Sequence, residues 1–221
     1  MKAASNFSQL ALAPLIILML GATTVWAQNP KGKVVPPPPS KQETPLPAKP
    51  VADKLAPAGW TRYEVGEPVR FSLILPAEPS MSVERINITP GVVVTARTYL
   101  SSTDSGVYGA TYVDDLPASM LNEAMKRTFF EGFVKGFAEG FQEGMKANGV
   151  VGQLQMLEQG TATASGLAGY ERDFSFDKLT GRVRLVFDGG RAYAVLAFWN
   201  ALSSNSERST FFESLKVNRK H

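Results

Sequence analysis

The chain has 221 residues with 15 prolines, no cysteine, a single histidine and a formal charge of +3. Nine of the prolines lie between Gln28 and Pro57, behind an apolar leader, so Ala58 to His221 is left for the fold: enough for one compact domain, too little for two. Beyond Pro57 the chain holds 17 basic and 18 acidic residues, which removes the electrostatic case for a nucleic-acid partner, and the absence of cysteine excludes disulfides.

Residues 1–27 read as a secretory signal peptide. Lys2 precedes the 13-residue apolar run Leu10–Ala22, and Val25-Trp26-Ala27 places small residues where a signal peptidase cuts, before Gln28. The other reading is an uncleaved anchor, but the run is short against the roughly 20 residues of a bilayer span and Pro14 interrupts it. The expectation is an exported protein, periplasmic or secreted, with no stable membrane span after cleavage. Residues 28–58 are expected to form a proline-rich disordered linker, because Pro36-Pro37-Pro38-Pro39 and the later prolines are spaced by polar and small residues with little to bury. Pro36 and Pro39 fit PxxP, a weak docking signal in such a tract.

A domain is expected over 59–221. Strand-like runs occupy Trp60 to Val65, Val69 to Leu75, Ser82 to Thr89, Val92 to Leu100 and Val107 to Val113, with Gly66-Glu67-Pro68 as a turn. A helix is predicted over Ala118 to Ala147, started by Asp115 as its cap and closed by Asn148-Gly149. Four more strands follow, at Gln153 to Gly160, Gly169 to Phe176, Arg182 to Phe187 and Arg191 to Asn200, the last two joined by the tight turn Asp188-Gly189-Gly190. Ser206 to Leu215 reads as a closing helix. Ala192 to Trp199 is apolar at every position, so that strand must be covered on both faces. With the two helices as cover, the pattern predicts an α+β fold: an antiparallel β-sheet with helices packed on both faces.

The predicted long helix carries a four-residue repeat. Leu121, Met125, Phe129, Phe133, Phe137, Phe141 and Met145 form one line, charged residues a second, and Gly132, Gly136, Gly140 and Gly144 a third. Each glycine costs about 1 kcal/mol against alanine inside a helix, and small residues at this spacing serve close approach of another backbone. That backbone is either the domain's own sheet or a second helix; a helix lying on a membrane is the third reading, against which the charges from Glu123 to Lys146 sum to zero. A 30-residue helix of roughly 45 Å outruns strands of six or seven residues at about 20–23 Å. Part of the strip Gly132, Phe133, Gly136, Phe137, Gly140, Phe141, Gly144 and Met145 is therefore expected to be left over as a partner-binding surface, for an envelope protein or another copy of the chain.

With His221 as the only histidine and no cysteine, Ser-His and Cys-His catalysis and the usual zinc sites lack their residues. Asp114-Asp115 and Asp173 with Asp177 do not follow a calcium-loop pattern, and no glycine cluster has phosphate-loop spacing; no cofactor and no metal are expected. Arg172, Arg182, Arg184 and Arg191, with Tyr170 and Phe174 nearby, read either as a small basic stacking patch or as an ordinary charged sheet face.

Phe71-Ser72-Leu73-Ile74-Leu75-Pro76, Val107 to Tyr112 running into Asp115-Leu116-Pro117, Gly166 to Glu171, the hairpin Arg182 to Trp199 and Phe212 to Leu215 resemble, in the same order, the PsbP-like domain family, which includes bacterial envelope proteins of the DcrB type. The resemblance spans about Gly59 to Val217 and implies an α/β/α sandwich on antiparallel strands that binds partners without catalysis. The longer, glycine-studded helix departs from that pattern. The expected function is thus an exported, non-enzymatic binding or assembly module of the cell envelope. The alternative is a carboxylate-dependent hydrolase of envelope glycans, since paired Asp and Glu suffice for that chemistry.

Overall fold

The computed structural model describes residues 46–66, 68–89 and 92–219; the expected signal peptide and most of the proline-rich stretch lie outside the described residues. In chain order the elements are β1 (Ala48–Val51), β2 (Thr61–Val65), β3 (Phe71–Leu75), β4 (Ser80–Thr89), β5 (Val92–Thr103), β6 (Gly106–Val113), a 3-10 turn (Ala118–Met120), α1 (Glu123–Ala147), β7 (Gln155–Ala164), β8 (Leu167–Phe176), β9 (Leu179–Asp188), β10 (Arg191–Trp199), α2 (Asn205–Glu213) and β11 (Lys216–Val217). All strand pairs are antiparallel. They form a seven-stranded sheet in the order β4-β5-β6-β10-β9-β8-β7 and a four-stranded sheet in the order β1-β2-β3-β11.

The central strand β10 explains the layering. Ala192, Ala194, Leu196 and Phe198 point into one core with Phe130, Val134, Phe137 and Phe141 of α1. Tyr193, Val195 and Ala197 point into a second core with Phe71, Leu73 and Leu75 of β3 and Phe211 and Phe212 of α2. The period of two along a strand sends alternate side chains to opposite faces, so a strand apolar throughout needs two covers.

The second cover differs from the expected one. The fold is mostly antiparallel β, in two sheets, and the face away from α1 is covered by the small sheet together with α2, rather than by helix alone. Seven strands at about 4.8 Å make a face roughly 30 Å wide. A nine-residue helix reaches about 14 Å, so the short strands must do the rest.

The expected linker boundary also moves. β1 pairs along β2, with Lys49 opposite Glu64 and Pro50 opposite Tyr63. The Tyr99 hydroxyl donates to the Leu46 carbonyl at 3.0 Å. Arg62 is buried, bonds Asp53, and donates to Ser72 Oγ at 3.1 Å and to the Ser214 carbonyl at 2.8 Å. Residues from 46 onward therefore belong to the sheet system, and the domain starts before Gly59. Pro50 misled the sequence reading because prolines are tolerated on an edge strand, where one N–H is not needed for pairing.

The start of α1 is likewise relocated. Asp115 takes a left-handed φ of 58° well before the helix, and Asn122 is the cap, its side chain accepting from the Met125 N–H at 2.9 Å. Asn148 and Gly149, the latter at φ 75°, end the helix where expected.

Candidate functional site: the long helix, the charged strands and the sheet edges

The phenylalanines of α1 lie against the domain's own sheet. Phe129 meets Phe187 edge-on at 5.9 Å and Phe130 stacks on Tyr170 at 5.5 Å. Further along, Phe137 packs on Phe174 and Phe198, while Phe141 stacks on Phe198 at 4.3 Å and meets Phe176 edge-on at 5.2 Å. The helix thus runs beside β8 in the same direction, from Tyr170 to Phe176. Gly132, Gly136, Gly140, Gly144, Phe137, Phe141 and Met145 are all buried, and Phe133 is half-buried.

Phe137, Phe141 and Met145 of the expected left-over surface are therefore taken up by the domain's own core, for a plain reason. β7, β8 and β9 have ten residues each, about 33 Å, close to the roughly 37 Å of the 25-residue helix. The buried stripe is Phe130, Val134, Phe137, Phe141 and Met145, which follows the 3.6-residue period. The every-fourth line drifts about 40° per step and joins this stripe only at Phe137. Phe130 and Val134 were missed in the sequence; the ordinary helical spacing counted back from Phe141 finds both.

The arginine-rich strands do not assemble into one patch. Arg172 faces α1 and pairs with Glu131 at 3.4 Å, on the same side as Tyr170 and Phe174, whose rings are taken up by Phe130 and Phe137. Arg182 and Arg184 face the other way, pair with Asp173 at 2.6 Å and Glu171 at 2.9 Å, and lie over the Phe212 ring. The acidic clusters considered for metal are likewise tied up in part: Asp173 binds Arg182 as above, and Asp114 accepts twice from Arg97 at 3.1 Å.

Among the described residues the large sheet ends in two edge strands, β4 and β7, and they differ. On β4, pairing with β5 shifts register between Asn87 and Thr89, and Glu84 and Arg85 place charge on the strand. Such bulges and charges are what protects an edge against further pairing. On β7, the pairing with β8 is irregular between Met156 and Gln159. Here Met156 and Leu157 are each 46% exposed, and Val151 just before the strand is 96% exposed. From Gln159 to Ala164 the strand has neither charge nor proline.

Glu84 gives a testable consequence. Burial pushes its carboxyl from the ordinary 4.5 up to about 7. A carboxyl raised in the folded state stabilises the fold fully below its unfolded pKa, and that contribution disappears as pH rises through about 7. Unfolding free energy measured by urea is expected to fall by about 1 kcal/mol between pH 5 and pH 8, solvent screening at this half-buried site reducing the full effect. Glu84→Gln is expected to flatten that slope; an unchanged slope would assign it to another group.

The arrangement defines a two-sheet α+β domain, and among the described residues no helix is long and apolar enough to cross a membrane. By sequence the chain matches no family model and no curated protein. Among solved structures it is similar to the solution structure of cyanobacterial PsbP (CyanoP) from Synechocystis sp. PCC 6803, at 12% identity and a TM-score of 0.44, over 76% of this chain and 98% of that one.

Proposed function

We propose that this chain is an exported, non-enzymatic binding module of the cell envelope that holds an extended segment of a partner protein against the β7 edge. The observation that supports this reading is the exposed apolar group Val151, Met156 and Leu157 beside an uncharged stretch of edge strand whose outer side pairs with no other described residue. An open edge offers main-chain donors and acceptors for affinity and neighbouring side chains for specificity. With the α1 strip spent on the domain's own core, the partner surface falls to the edge rather than to that helix.

Photo-crosslinking in the intact cell tests it. A crosslinker at position 157 is expected to trap a discrete envelope protein, and one at the still more exposed Leu202 is not. Leu157→Glu is expected to change stability by no more than about 0.5 kcal/mol, as for surface substitutions generally, while abolishing capture through a crosslinker at Thr161. Equal capture from positions 157 and 202, or capture that survives Leu157→Glu, would remove the support for this surface.

A further inference from the structure

A second feature lies at the other side of the large sheet, where it faces the small one. Tyr112 of β6 and Tyr193 of β10 are directly opposite each other in the ladder. Their rings lie 5.3 Å apart with Phe71 packed on both. Each residue is about 1% exposed; the Tyr112 hydroxyl has no hydrogen-bond partner, and the Tyr193 hydroxyl has at most the Arg191 guanidinium, short of good geometry. Folded proteins pair nearly all buried polar groups, so two such hydroxyls side by side call for a ligand or a reason.

Charges of both signs surround them. The charges of Arg70 and Arg191 both act on the two phenols, against the opposing influence of Asp114 on Tyr112 and Asp188 on Tyr193. Asp114 already binds Arg97. Arg191 shares its face of β10 with Tyr193 and sits opposite Asp188 across the hairpin, and Arg70 leads directly into Phe71. Among the described residues Arg62, Arg97, Arg172, Arg182 and Arg184 all form ion pairs, whereas Arg70 and Arg191 form none. Both are half-buried, on long flexible stems.

We infer that this end of the interface between the two sheets is a binding site for a small oxyanion, of carboxylate or phosphate type. Arg70 and Arg191 grip the ligand as their stems swing outward, and the Tyr112 and Tyr193 hydroxyls donate to it from beneath. Guanidinium groups present parallel N–H donors that match either oxyanion, and phenols supply the neutral donors that a buried anion needs in addition to charge. The site lies on the opposite face of the large sheet from α1 and does not depend on the β7 edge.

Calorimetric titration of the full chain tests the inference, with inorganic phosphate in one arm and acetate in the other, sodium chloride holding ionic strength constant. Saturable binding of at least one anion is expected, and the arm that saturates at the lower concentration identifies the chemistry. Arg191→Gln and Tyr112→Phe are each expected to weaken it about tenfold or more, the loss expected for a charge-assisted hydrogen bond. Arg208→Gln, which alters an arginine lying over Trp199 instead, is expected to bind as the wild type does. Tyr112→Phe is expected to melt no lower than wild type in the absence of ligand, since it removes an orphaned hydroxyl. The inference is overturned if neither anion binds saturably, or if binding persists in both Arg191→Gln and Tyr112→Phe.

Discussion

Phe141→Ala is expected to cost about 3–5 kcal/mol, the range for deleting a large buried aromatic side chain. Phe141 is 2% exposed and ties α1 to two strands at once, through its stack on Phe198 of β10 and its edge contact with Phe176 of β8. Since whole domains are stable by about 5–15 kcal/mol, the loss should appear as a large drop in the urea midpoint and in the melting temperature. Phe133→Ala, on the same four-residue line but half-buried, should lose markedly less. If the two substitutions cost the same small amount, below about 1 kcal/mol, the α1 strip is not seated on the sheet and the partner-binding reading of the helix returns.

The glycines give the second large effect, and its sign carries the information. An exposed helical glycine replaced by leucine gains up to about 1 kcal/mol, because leucine is the better helix former. Gly136 and Gly140 are buried. There, extra methylenes force side chains off their rotamers and shift the backbone at about 1–3 kcal/mol per site, more than the propensity gain returns. The double substitution Gly136→Leu with Gly140→Leu is therefore expected to be net destabilising by a few kcal/mol and to melt the domain without any change in oligomeric state beforehand. Equilibrium unfolding combined with sedimentation velocity separates the outcomes. A variant at least as stable as the wild type, converted from dimer to monomer, would show that these glycines serve an intermolecular helix contact.

The sequence carried the periodicities, and these translated into elements with little loss. Alternation in Phe71 to Leu75 and Val107 to Val113, the unbroken apolar run of Ala192 to Trp199, and the turn residues Asp188-Gly189-Gly190 locate strands and a hairpin because side-chain period and backbone φ are local properties. The end of α1 at Asn148-Gly149 was legible for the same reason. Its start was not: Asp115 and Asn122 are both acceptable caps, and only the 3-10 turn over Ala118–Met120 decides that the helix begins after the second.

Pairing and cover are decided by tertiary structure. Nothing local in Ala48–Val51 distinguishes a proline-flanked linker from an edge strand; β2, lying alongside, does. Nothing local splits the strands into a seven-stranded and a four-stranded sheet. That division follows from a large face whose inward residues, Tyr99, Tyr112 and Tyr193, are bulky enough to demand Phe71 as a packing partner and too widely spread for α2 to cover alone. The fate of the α1 strip turned on strand length. Strand ends extend or stop according to the neighbour they pair with, so β7, β8 and β9 grow to ten residues in the sheet and cover a helix that shorter strands would have left bare. By itself the sequence determined which residues are apolar and with what period; the fold determined which of them meet, because burial and pairing are set by residues distant in the chain.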